Sequence, residues 1–241
     1  MASELAQDGA VIWTTLAEPA RGLARAVARR RVLSAIALST ALSLLATGLV
    51  LPALDPEAVA GDTLRPDMTP HERDQAIETA LKLGEVKAWA VAAVGPGVSA
   101  FLVGLALWLG FRVAGAQTGF KTAFTVAAHA LVPQALRALL TVPAALVHAP
   151  VTPDALPRLL PSSLAALLPA IASLPAPALA AVGALDLFTL WTLVLAASGM
   201  RRATGASRLR TWAVLLVLFA AQVAVFKVAP AAGGLGPRGA P

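Results

Sequence analysis

"VLSAIALSTALSLLATGLVLPAL", residues 32–54, runs for 23 residues between Arg31 and Asp55 without a single charge. A helix needs roughly 20 apolar residues to cross the hydrocarbon core of a bilayer, so this stretch is long enough to span one. Comparable runs follow at 88–111, 122–148, 178–200 and 211–229. Composition agrees with them: 58% of the 241 residues are hydrophobic, only 13% are charged, and mean hydropathy is +0.75. These features predict an all-α, polytopic integral membrane protein with five transmembrane helices.

Several classes of function fall away early. The chain has no cysteine, which removes disulfides, thiolate metal sites and cysteine nucleophiles. A net charge of +6 invites a nucleic-acid reading, but that needs a basic face with stacking aromatics. The arginines cluster beside apolar runs instead, so no nucleic-acid partner is expected. Arg29-Arg30-Arg31, an apolar run and then Ala58-Val59-Ala60 imitate a signal peptide. The 23-residue run exceeds an ordinary signal-peptide core, and an uncleaved first span is the better reading.

Outside the runs, residues 1–31 read as a cytoplasmic segment. Its "ARGLARAVARRR" puts Arg21, Arg25 and Arg29 on one helical face against Leu23 and Val27, a basic amphipathic helix suited to an anionic membrane surface. The 55–87 segment holds eight acidic and four basic residues. Within it "TPHE", 69–72, is a helix start with Thr69 as N-cap, Pro70 in first position and Glu72 closing a capping box. A short polar helix over 70–83, outside the bilayer, follows from it. Residues 162–174, broken by prolines on either side, read as interfacial or re-entrant, and 230–241 as a disordered tail.

Basic residues orient the spans. Five arginines precede the first span, Arg112 and Lys121 flank the 112–121 turn, and Arg201, Arg202, Arg208 and Arg210 follow the fourth. The acidic 55–87 segment and the nearly uncharged 149–177 stretch alternate with them. A cytoplasmic N-terminus and a C-terminus outside result, with 32–229 as one five-helix membrane domain.

Three charges fall inside the spans. At 1.5 Å per residue, Arg137, Asp186 and Lys227 lie about 24, 22 and 26 Å from the cytoplasmic edge. An ion pair between Arg137 and Asp186 that fixes packing is the simplest reading. Intramembrane carboxylates also mark transport paths, so a permease or channel subunit using Arg137, Asp186 and His129 is the alternative. His129, Pro133 and Arg137 share a face at four-residue steps, as packing residues or as part of such a path. Lys227 reads as a residue that snorkels to the outer interface. Gly95-Pro96-Gly97 predicts a helix break, kink or close helix contact in the second span. The sequence lacks HExxH, GxSxG and a glycine-rich phosphate loop. No catalytic residue, metal ligand or cofactor is expected, and enzymatic activity is not.

Two blocks carry a resemblance. "GAQTGFKTAFTVAAHALVP", 115–133, and "GALDLFTLWTLVLAASGMRRATGASRLRTWAVLLVLF", 183–219, resemble the YIP-domain family of Rab-GTPase-interacting membrane proteins and their prokaryotic relatives. The carrying features are Gly115, Gly119 and Lys121 before a helix whose first half ends in Val132-Pro133, then Ser198-Gly199 and a basic turn after "LDLFTLW". His129-Ala130 departs from the aromatic, often tyrosine, of the family, and this chain has no tyrosine. The resemblance implies a five-helix plan and action through partners: the lipid bilayer, self-association or other membrane proteins. It implies a Rab-type GTPase only in a eukaryotic host. The alanine- and arginine-rich composition points to a bacterial cytoplasmic membrane.

Overall fold

The computed structural model describes residues 32–163 and 174–232. The basic helix expected before residue 32, most of the interfacial or re-entrant stretch and the tail beyond 232 lie outside the described residues. Those described are helical, with no strand beyond two isolated bridges. Four helices among them are long and apolar enough to cross a membrane: Val32–Ala53, Pro70–Val113, Phe120–Val147 and Arg208–Val228.

Helix α1 covers Val32–Val50 and ends in a 3-10 turn, Leu51–Ala53, with Pro52 where a backbone donor is dispensable. A short α2, Pro56–Ala60, begins at Asp55, whose carboxylate accepts from the Glu57 and Ala58 amides at 3.0 and 3.4 Å.

Helix α3 runs from Pro70 to Val113, 44 residues, or about 65 Å at 1.5 Å per residue. The expected capping box opens it, with the Glu72 amide donating to Thr69 Oγ1 and the Thr69 amide to Glu72 Oε2. Two sequence expectations are corrected here. The polar helix and the second span are one continuous helix: Gly84, the residue there suited to end one, stays helical and packs against Val59 of α2. Nor does Gly95-Pro96-Gly97 break it. Pro96 removes one backbone donor, and the turns on either side keep the helix going. Gly97 faces Ile36 of α1, where a Cβ would sit in ordinary contact at 3.9 Å.

Helix α3 stops in a Schellman motif. Gly115 takes φ +78°, the Ala116 amide bonds the Phe111 carbonyl at 2.8 Å, and the Gly115 amide bonds the Arg112 carbonyl at 3.0 Å. The third run is two helices: α4, Phe120–Ala130, and α5, Val132–Val147, parted at Leu131. Pro133, at the start of α5, has no N–H to continue the ladder, and the Gln134 amide turns back to the Leu131 carbonyl at 3.0 Å. The fourth run also divides, into α6, Ala176–Gly183, and α7, Leu187–Thr204. Gly205, at φ +67°, ends α7. Helix α8, Arg208–Val223, follows, then a π turn over Ala224–Val228 and α9, Ala229–Ala232. Helix thus extends into the start of the expected tail.

Helix α4 is the axis of the bundle. It packs against α1, α3 and α7, and every residue from Ala123 to Ala130 except Phe124 is buried. Its neighbours come close through glycine. A Cβ on Gly104 of α3 would stand 2.8 Å from Phe124 Cα, and one on Gly199 of α7 would stand 2.6 Å from Val126 Cγ1. Lipid is as apolar as leucine, so close packing has to hold membrane helices together, and small residues permit it. Phe120 adds edge-on contacts to Phe101 and Trp108 of α3, with centroids at 5.5 and 6.2 Å.

Both ends of the bundle are tied. Phe111 and Ala116 share a buried cluster with Met200 and Ala206, which brings the α3–α4 and α7–α8 turns to one end. At the other, the Val151 amide bonds the Ala53 carbonyl at 2.8 Å and the Asp55 amide bonds the Val151 carbonyl at 2.9 Å.

Candidate functional site

Asp186 stands in the gap between α6 and α7, not inside a continuous helix. The Ala184 amide still bonds back to α6, and the Leu187 amide turns aside to the Ser162 carbonyl at 3.1 Å. Asp186 then serves as the N-cap of α7, its Oδ1 accepting from the Thr189 amide at 2.7 Å. Aspartate competes for backbone donors in a helix interior and satisfies them at a cap. The first turn of α7 also presents a partial positive charge to the carboxylate.

The other carboxylate oxygen faces α5. Arg137 Nη1 donates to Asp186 Oδ2 at 2.7 Å, and Arg137 Nη2 donates to the Pro157 carbonyl at 3.3 Å. The aspartate side chain is 2% exposed and that of the arginine 25%. An ion this buried is tolerated only with a counter-charge and hydrogen bonds on its remaining lone pairs, and Asp186 has both. One turn earlier on α5, Gln134 Nε2 reaches Thr189 Oγ1 at 3.5 Å and Thr192 Oγ1 at 3.4 Å. A polar seam, Gln134 and Arg137 against Asp186, Thr189 and Thr192, therefore joins α5 to α7.

The structure brings Arg137 and Asp186 together and leaves the other singled-out residues apart. His129 is buried in α4 and its Nδ1–H donates to the Thr125 carbonyl at 3.0 Å; Nε2 has no hydrogen-bond partner among the described residues. Pro133 is fully buried beside the break it causes. Lys227 is exposed on the π turn. Gly95, Pro96 and Gly97 lie midway along α3, outside the seam. Among the described residues, no three of His, Cys, Asp and Glu are grouped to hold a metal ion.

Sequence reasoning missed Gln134, Thr189 and Thr192, because uncharged polar residues do not stand out in an apolar run. It also missed the cap, although Gly183 followed by Asp186 is a stop signal three residues ahead of a start signal.

A helical bundle with four helices of spanning length and a buried ion pair within it is a multi-pass membrane protein. Its family follows from direct comparison: the family model of the Yip1 domain matches residues 13–229, and the chain belongs to that family. No curated protein and no solved structure matches it.

Proposed function

We propose that this Yip1-family protein crosses the membrane five times and acts without catalysis, as a scaffold that organises membrane and binds partner proteins. The fifth crossing is the broken pair α6 and α7, Ala176–Thr204, with lengths of about 12 and 27 Å at 1.5 Å per residue. The shared end of the α3–α4 and α7–α8 turns supports that count, since α7 must then run back across the bundle. Basic flanks make that end cytoplasmic, with the N-terminus on the same side and the C-terminus opposite. A bacterial cytoplasmic membrane suits the composition, and there a Rab-type GTPase has no place as partner.

One observation carries the scaffold reading. Both oxygens of Asp186 and both terminal nitrogens of Arg137 are committed to fixed partners that hold two broken helices in register. A group so committed fixes helix register, which supports a positioning role over a relay. Two experiments test it. Leu209→Cys, at a position 83% exposed, is expected to label with an impermeant thiol reagent only after cells are opened. Asp154→Cys should label in intact cells. In proteoliposomes, proton or ion flux that depends on Asp186 would overturn the scaffold reading. Discrete crosslinked adducts in native membranes, with no such flux, are the expected result.

A further inference from the structure

An open groove of about 300 Å³ lies between the end of α7 and the start of α8. Arg201 and Arg208 line it together with Ser198 and Thr211, and its apolar lining is Val194, Ala197 and Trp212, with Val194 exposed on the helix surface. Both arginines are exposed, and among the described residues neither has an ion-pair partner. The sequence beyond Asp186 contains no acidic residue. Nearby Arg112, by contrast, is occupied, its guanidinium 5.4 Å from the Trp108 ring centroid.

The groove has a direction. Val194 precedes Arg201 by seven residues on α7, about 10 Å along the axis, and on the side where both helices are apolar. Two cations therefore stand at the water boundary, Ser198 and Thr211 lie beside them, and an open, mainly apolar surface of Val194, Ala197 and Trp212 continues toward the bilayer. Tryptophan beside the mouth suits the same boundary. The volume is at the low end for small-molecule sites, enough for a headgroup and the first part of a chain.

We infer that this groove binds one anionic phospholipid, its phosphate held by Arg201 and Arg208 and the start of an acyl chain lying along Val194, Ala197 and Trp212. The two-sided chemistry selects this occupant: a soluble phosphate uses the mouth alone, and a zwitterionic lipid brings a cation toward two guanidinium groups. The inference needs α8 to cross the bilayer and is independent of the direction of crossing.

Native mass spectrometry of the full chain, released from micelles with equal phosphatidylglycerol and phosphatidylcholine, tests it. The expected result is one retained phosphatidylglycerol, with the preference falling about 30-fold in R201Q/R208Q. R202Q/R210Q removes the same charge outside the groove and should keep it. Val194→Trp, which fills the groove and leaves both arginines, should also lose the lipid, and serves if R201Q/R208Q does not fold. Equal loss in both double variants, or no preference in the wild type, would overturn the site. Displacement by inorganic phosphate with Val194→Trp still binding phosphate would replace the lipid by a free anion.

Discussion

Val126 on α4 and Gly199 on α7 meet so closely that a methyl group on the glycine would stand 2.6 Å from Val126 Cγ1. On the opposite side of the same helix, Gly104 of α3 faces Phe124, but there the nearest atom is Cα, at 2.8 Å. One contact is against a side chain and the other against backbone, and the difference has consequences.

Gly199→Ala should cost about 1–3 kcal/mol by overpacking and be largely rescued by Val126→Ala, which removes the obstructing methyls. Gly104→Ala should cost at least as much and resist rescue by Phe124→Ala, because the obstructing Cα remains. Unfolding by denaturing detergent in mixed micelles, read for each single and double variant, checks the contrast. Equal rescue at both sites would contradict it.

Asp186 both caps α7 and pairs with Arg137. Asparagine keeps an acceptor for the Thr189 amide and loses the charge; alanine loses both. Removing one partner of a fully buried pair costs about 3–5 kcal/mol. With Arg137 a quarter exposed, water offsets part of that, and Asp186→Asn should cost about 1–2 kcal/mol. Asp186→Ala should cost about 1 kcal/mol more through the lost cap. Adding Arg137→Gln to Asp186→Asn should recover part of the loss, and a double-mutant cycle on folding free energy measures how much.

Because α3 is continuous through Pro96, Pro96→Ala supplies the missing amide without requiring a change of path. Thermal stability in detergent should stay level or rise. A clear drop would mean that the proline sets a bend the bundle depends on.

The capping box at Thr69 acts locally. Thr69→Ala should destabilise the first turn of α3 by about 1 kcal/mol, seen as faster amide exchange over residues 71–74. The bundle core should not change, and Thr69→Ser should leave exchange as in the wild type.

Much of the architecture is written along the chain. The charge-free run at 32–54 predicts a span because transfer of apolar side chains into lipid is a sum over residues, independent of neighbours. The capping box at 69–72 is equally local, since every atom in it belongs to four consecutive residues. The breaks at Leu131 and Asp186 are not legible from hydropathy, which counts apolar surface and ignores where each backbone amide finds its acceptor. Pro133 and the Gly183–Asp186 signals mark both places for a reader who follows the hydrogen bonds instead.

By itself, then, the sequence determined the class: apolar helices that only a bilayer accommodates, with most basic residues gathered at the ends of the apolar runs. It also placed Arg137 and Asp186 in one layer, because helical rise converts residue counts to depth. Only the tertiary structure decided that the two touch, at 2.7 Å, that Gln134, Thr189 and Thr192 extend their seam, and that Gly104 and Gly199 admit α4 to the centre. Those choices depend on which helix faces are opposed. That is a property of packing between segments distant in sequence, where shape and paired charge discriminate and hydropathy does not.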